Sequence, residues 1–216
     1  MLSLWEIIKM RRSIREFAPD DVPDEMIQQM LEAARLAPSG INCQPWRFIL
    51  VRDKEVKKKI CRIRSDQKFI EEAPVVIVCF GDLEAISREA RKKRVQELFD
   101  LGAKLSGRLA DPKYWEERFS LPPAPHEEQV RHVILNTSIA IEHLLLMATA
   151  LGLGTCWCGA IDVGELNRLF DLPDNLVSVA VIPVGHPAGE VPPQPPRLNF
   201  EEIVLKPRAS YTGYRA

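Results

Sequence analysis

The sequence predicts a single α/β or α+β domain, and three observations carry that expectation. Two runs, PVVIVCF at 74–80 and VSVAVIPVG at 177–185, are apolar on successive residues, as strands covered on both faces are. Segments with helical apolar spacing lie before and between them, near 24–36 and 127–151. The chain has 216 residues, 46% of them apolar, which suits one sizeable core because single domains of up to about 250 residues are ordinary.

Val22-Pro23-Asp24 opens the first predicted helix, since a Pro or Asp suits the unsatisfied N–H groups at a helix start. Met26, Ile27, Met30, Leu31, Ala34 and Leu36 then form its apolar face up to Pro38. The loop APSGINCQPW, 37–46, is chemically richer than a turn requires. Its glycine and prolines set a fixed path, Ser39 and Asn42 are expected to stand out as polar contacts, and Trp46 is expected to bury its ring. A strand at 47–52, a charged helix at 54–64 and the strand at 74–80 follow.

Residues 84–118 are charged and helix-forming, and read as a helical excursion over the core. The cluster RKKR, 91–94, is flanked by acids and reads as a solvated helix face. FSLPPAPHEE cannot continue a helix and reads as a linker or lid. The helix at 127–151 carries SIAIEHLLLMATAL, apolar on nearly every side, which marks a helix enclosed by protein. Asn136, Thr137, Ser138, Glu142 and His143 interrupt it too much for a membrane span, which needs about 20 apolar residues. Part of its cover is expected from a second subunit.

Gly152 and Gly154 are expected to end that helix with positive φ. TCWCGA, 155–160, reads as a strand, Asp162 as the cap of a short helix through Phe170, and 177–185 as the last core strand. The segment HPAGEVPPQPPR has little to bury by itself, and FEEIVLK reads as a short strand anchoring it.

Composition narrows the function. A net charge of -1 lacks the basic excess that nucleic-acid binding requires. The opening MLSLWEIIKMRRS has no long apolar run followed by a small-residue cleavage site, so a cytoplasmic protein is expected. Five scattered cysteines read as reduced thiols, and four histidines without i, i+4 pairing give no metal site. The dinucleotide fingerprint, the P-loop and the G-x-S-x-G elbow are all missing from the sequence.

What remains is Arg11-Arg12-Ser13-Ile14-Arg15, a cluster of guanidinium groups and a hydroxyl that can fit a phosphate or can form a solvated charged turn. RRSIREF, AARLAPSGINCQPWRFILV, ALGLGTCWCG, the apolar strand ending in Gly185 and the Pro-rich tail with Arg197 together resemble the nitroreductase family of flavoproteins. Their order and spacing match over most of the chain.

The resemblance implies an α+β, three-layer fold, with a mostly antiparallel sheet flanked by helices. It implies an intertwined homodimer holding FMN at the subunit interface, with an extended C-terminal arm, 186–216, reaching over the partner. The whole chain, 1–216, is then one FMN-binding domain, and 84–125 is its excursion and possible lid. The implied activity is FMN-dependent reduction of nitroaromatics, quinones or related small electrophiles by NADH or NADPH, through alternating hydride transfers. Reductive dehalogenation or flavin cleavage on the same fold, or flavin binding without catalysis, are the alternatives.

By the same resemblance, Arg11, Arg12, Ser13 and Arg15 surround the FMN phosphate and the flavin's pyrimidine edge, with Arg197 a further phosphate ligand. Pro38, Ser39, Gly40 and Asn42 would reach the flavin from the partner subunit. Cys158, Gly159 and Ala160 would line the isoalloxazine, with no protein nucleophile needed. Trp115, Phe119 and Trp157 are candidates to cover the ring, although Trp157 is expected to pack.

Overall fold

β2 (Val75–Asp82) is buried along its whole length and organises everything around it. The computed structural model describes residues 2–159 and 163–204. β1 (Trp46–Val51) and β4 (Leu176–Gly185) flank β2, and β3 (Gly154–Thr155) pairs with β4, giving the order β1-β2-β4-β3 with every pair antiparallel.

Successive side chains of a strand point to opposite faces, and β2 uses both. Val75, Ile77 and Cys79 join the core made with α2 (Asp24–Arg35) and α7 (His126–Ala150). Val76, Val78 and Phe80 pack on the other side with α3 (Lys54–Ile63), α4 (Phe69–Glu72) and α8 (Val163–Phe170). The result is helix, sheet, helix, which explains the unbroken apolar runs. The α+β, three-layer, antiparallel arrangement expected from the sequence is the one observed.

α7 is long and apolar enough to cross a membrane by length and composition, a test that a core helix also passes. Its apolarity has another use. Val133, Ala140, Ile141, Leu144, Leu145 and Ala148 are buried in the domain, while Leu135 and Ile139 face outward.

α1 (Leu4–Met10) was not anticipated. Its start was legible as the capping box Ser3-x-x-Glu6, in which the Glu6 N–H donates to Ser3 Oγ at 3.3 Å and the Ser3 N–H to Glu6 Oε2 at 2.7 Å. Two further expectations need correction. FEEIVLK does not form a strand: Phe200–Ile203 is the one-turn helix α9, capped by Asn199, and 205–206 lie outside the described residues. Gly152 does end α7 at φ +77, but Gly154 is in β3 for a different reason, given below. Asp162 lies outside the described residues.

The excursion contains α5 (Arg88–Asp100) and α6 (Pro112–Ser120). It is held together from within. Trp115 is buried, donates its indole N–H to the Leu109 carbonyl at 2.9 Å and stacks on Phe119 at 5.7 Å.

Candidate functional site

The N-terminal arginine motif and the late cysteine segment, 140 residues apart, meet at β3. Ile14 donates its N–H to the Thr155 carbonyl at 2.8 Å, and Ser13 forms a parallel bridge with Thr155. The approach is so close that a Cβ at Gly154 would lie 2.8 Å from Ile14 Cβ, Cγ1 and Cγ2, which is why that position carries no side chain. Beyond Thr155 the strand expected at 155–160 breaks off. Continuing the register Thr155↔Val184 sets Cys156 opposite Pro183, which has no N–H to donate, and the ladder resumes only at Cys158↔Val181.

Arg11, Arg12 and Ser13 are half-buried beside this junction, and Arg15 is exposed. Their hydrogen bonding separates them. Arg12 donates to the carbonyls of Lys9 (2.6 Å), Arg11 (2.8 Å) and Pro192 (3.2 Å), so it fastens the chain to its own tail. The Arg11 guanidinium has no hydrogen bond or ion pair among the described residues, and Arg15 makes only a long contact to the Ser13 carbonyl, 3.5 Å. Both act on Cys156. A hydrogen bond with Cys158, helped by Arg15, Ser13 and Arg11, holds the Cys156 thiol below its ordinary range against the effect of burial. That same bond, together with burial, pushes Cys158 up. Two guanidinium groups without a carboxylate partner among the described residues, next to a hydroxyl, are donors of the kind that can bind an anion such as a phosphate.

Gly159 follows, half-buried, and Ala160 lies outside the described residues. A Cβ at Gly159 would lie 3.1 Å from the Trp157 indole nitrogen. Trp157 is 37% exposed, so it does not pack in the core as expected but presents a ring at the surface beside Gly159. Trp115, by contrast, is buried inside the excursion and offers no free ring. Arg197 is exposed and donates to the carbonyls of Pro195 (3.2 Å) and Pro196 (3.3 Å).

The loop 37–46 belongs to a second assembly. Gly40 donates its N–H to Asn136 Oδ1 at 2.9 Å, and the buried Asn136 donates in turn to the His132 carbonyl at 2.8 Å. Ser39 Oγ accepts from the Gln44 N–H at 3.0 Å, so this hydroxyl ties the loop rather than standing free. Pro38 and Asn42 are exposed, and Trp46 is buried as expected. Ile41, Asn42 and Gln44 all have positive φ, between 47° and 56°. For a β-branched residue such as Ile41 that is a strained geometry, held by its surroundings.

Cys43 and His132 approach within 3.9 Å, and α5 packs on the adjoining turn Gly40–Asn42. The RKKR cluster is only partly the solvated face expected: Lys92 and Lys93 are exposed, whereas Arg91 and Arg94 are half-buried against this assembly. Burial and the nearby Arg91 hold His132 below its ordinary pKa. Sequence reasoning missed His132, Asn136 and Arg91 because each acts on a loop some 50 to 96 residues away, and no local pattern marks that.

The two assemblies meet α7 at different heights, one at its middle and the other at its C-terminal end. Asn136 holds the loop, and Thr149 lines a groove shared with Arg12 and Ile14. With a rise of about 1.5 Å per residue, these positions are about 20 Å apart along the helix.

The fold is an α+β domain with a cluster of cationic and hydroxyl donors at the edge of its sheet. The chain belongs to the Nitroreductase family, whose model matches residues 8–186. It is 30% identical over 203 residues to an FMN reductase [NAD(P)H] of Bacillus subtilis, with 92% of this chain and 72% of the relative covered. It is 28% identical over 200 residues to an iodotyrosine deiodinase of Thermotoga neapolitana, covering 90% and 94% respectively. A nitroreductase of Exiguobacterium sibiricum, solved in complex with FMN, superposes with a TM-score of 0.79 at 24% identity over 95% of this chain and 98% of that one.

Proposed function

We propose that the protein is an FMN-dependent NAD(P)H oxidoreductase that works as a homodimer and reduces nitroaromatic, quinone or related electrophilic small molecules. The observation that carries this reading is the junction at β3, where Arg11, Ser13 and Arg15 converge without any carboxylate partner in the described chain. Charge-assisted hydrogen bonds from such groups to a phosphate are worth about 1.5 to 3 kcal/mol each.

FMN supplies the hydride chemistry when bound. The residues of this chain bind and orient. Arg11 and Arg15 would hold the phosphate with the Ser13 hydroxyl, while Arg12 keeps the arm at Pro192 in place. Cys158, fixed to Val181 by two backbone hydrogen bonds of 3.0 and 2.9 Å, would set the backbone edge that meets the flavin. Gly159 leaves that edge without a side chain. Ala160 and Arg197 remain proposed contacts, Arg197 through movement of the arm or toward the second copy.

The separation of the two assemblies supports the homodimer reading. One chain keeps the loop at the middle of α7 and the arginines near its C-terminal end, so a second copy would bring Pro38, Ser39, Gly40 and Asn42 to the flavin. The exposed Leu4, Trp5 and Ile8 of α1, with Leu135 and Ile139 of α7, supply an apolar surface for that contact. Reductive dehalogenation is the second reading, favoured by the likeness to the deiodinase.

Purified protein should be yellow, run at twice the chain mass and bleach on addition of NADH or NADPH. Donor and acceptor would use one open face in turn, so initial-rate lines should be parallel. A colourless monomer that takes up no FMN would defeat the reading. Turnover of halogenated phenols with no turnover of nitroaromatics or quinones would favour the second one.

A further inference from the structure

The excursion holds a small cavity of about 60 Å³ beneath Pro122 and Pro123, with Arg88, Arg91 and Arg118 in its wall. Arg88 is satisfied, since its Nη2 donates to the Leu121 carbonyl at 2.9 Å. Arg94, one turn along α5, pairs with Glu97 at 2.6 Å. Arg91 and Arg118 differ from both. Neither guanidinium has a hydrogen bond or an ion pair among the described residues, although Arg91 is half-buried.

Two like charges facing one cavity are unfavourable unless an anion joins them, and burial adds to the cost for Arg91. Ile86, Phe119, Pro122 and Pro123 give the cavity apolar walls. Its volume is that of about two waters at ~30 Å³ each, enough for a carboxylate or a phosphate head and too small for an aromatic ring. The rest of such a molecule would extend outward. Arg91 acts electrostatically on Cys43 and His132, and α5 packs on the turn Gly40–Asn42, so Arg91 and its helix link the cavity to the loop proposed above to reach the partner's flavin.

We propose that Arg91 and Arg118 recognise an oxyanion carried by a reactant, either a carboxylate on the electron acceptor or the phosphate of NADPH. The planar fork of each guanidinium suits either group. The assignment to a reactant rests on the oxidoreductase reading above. The cavity and its unpaired cations stand without it.

The test uses FMN-loaded protein and its Arg91→Gln and Arg118→Gln variants. Calorimetry with benzoate, benzamide and inorganic phosphate measures the cavity without turnover. Benzoate or phosphate should bind the native protein, benzamide should not, and each variant should weaken anion binding tenfold or more. In turnover, 4-nitrobenzoate against nitrobenzene with NADH tests the acceptor, and NADPH against NADH with nitrobenzene tests the donor. The KM of the anionic member of one pair should rise about tenfold, with kcat within twofold, which names the source of the oxyanion.

Anion binding unchanged in both variants, or benzamide binding as well as benzoate, would overturn the proposal. Arg118 is exposed, so its variant should fold even if Arg91→Gln does not. Protein that takes up no FMN would defeat the oxidoreductase reading, while calorimetry would still decide the anion site.

Discussion

Ile14 and Gly154 touch more closely than any side chain at 154 would allow: a Cβ built there lies 2.8 Å from three atoms of Ile14. That contact, with the 2.8 Å bond from the Ile14 N–H to the Thr155 carbonyl, locks the arginine motif to the edge of the sheet. The electrostatic hold of Arg11 and Arg15 on Cys156 depends on it.

Gly154→Ala should therefore destabilise the protein by about 1 to 3 kcal/mol, the usual cost of overpacking, and should loosen FMN as well. Ile14→Ala removes the obstacle but opens a cavity of its own, at about 2 to 5 kcal/mol. The double variant should be more stable than the sum of the single changes predicts, by about 0.5 kcal/mol or more in urea unfolding. Strict additivity would mean that the two residues do not constrain each other.

Arg11 and Arg12 are neighbours with opposite expected behaviour. Arg11→Ala removes an unpaired cation from the proposed phosphate site and should cost about 2 to 5 kcal/mol in FMN binding, at least roughly thirtyfold in Kd. Arg12→Ala removes a donor to three carbonyls and should instead lower stability by about 1 to 3 kcal/mol, with FMN affinity within about fivefold. Flavin fluorescence against added protein measures the first effect and urea unfolding the second. A reversed pattern would mean that Arg12 holds the phosphate.

Asn136 accepts the hydrogen bond of the Gly40 amide, and it holds a loop in which Ile41, Asn42 and Gln44 have positive φ. Asn136→Ala should leave that amide unsatisfied, at about 1 to 3 kcal/mol, and free the loop to relax. Hydrogen exchange at Gly40 and Asn42 should speed up, while the amides of β2 keep their protection. Uniform loss of protection would show Asn136 to be a core residue with no special hold on the loop.

The layers of the fold were legible because the strand signals are local: alternate residues of β2 serve two cores, so the run had to be apolar throughout. The break after Thr155 was not, because it depends on Pro183 standing opposite Cys156 across the sheet, and sequence carries no register. Ser39 illustrates the same limit at the site. Its type and place marked the loop as special, but only the fold shows the hydroxyl engaged with Gln44 and leaves Asn42 as the exposed polar group. Arg91 was hidden differently, because a basic cluster on a helix is usually solvated, and nothing within RKKR says which member turns inward.

His132 joins that loop to Arg91 and should make stability depend on pH. Burial first, and Arg91 second, hold its pKa below the ordinary value of 6.5. As pH falls through 6.5 the unfolded chain binds a proton that the folded one does not, so stability is unaffected above 6.5 and falls below it until the folded pKa is passed. Urea unfolding at pH 7.5 and 5.5, in buffer free of carboxylate and phosphate, should show a larger loss for the native protein than for His132→Gln. Arg91→Gln should raise the His132 pKa partway toward 6.5, as read from its ring protons by NMR, because burial remains. Benzoate should raise it in the native protein by neutralising Arg91, and should leave it unmoved in Arg91→Gln. A native His132 that titrates at or above 6.5 would remove both the strain at this residue and its link to the cavity.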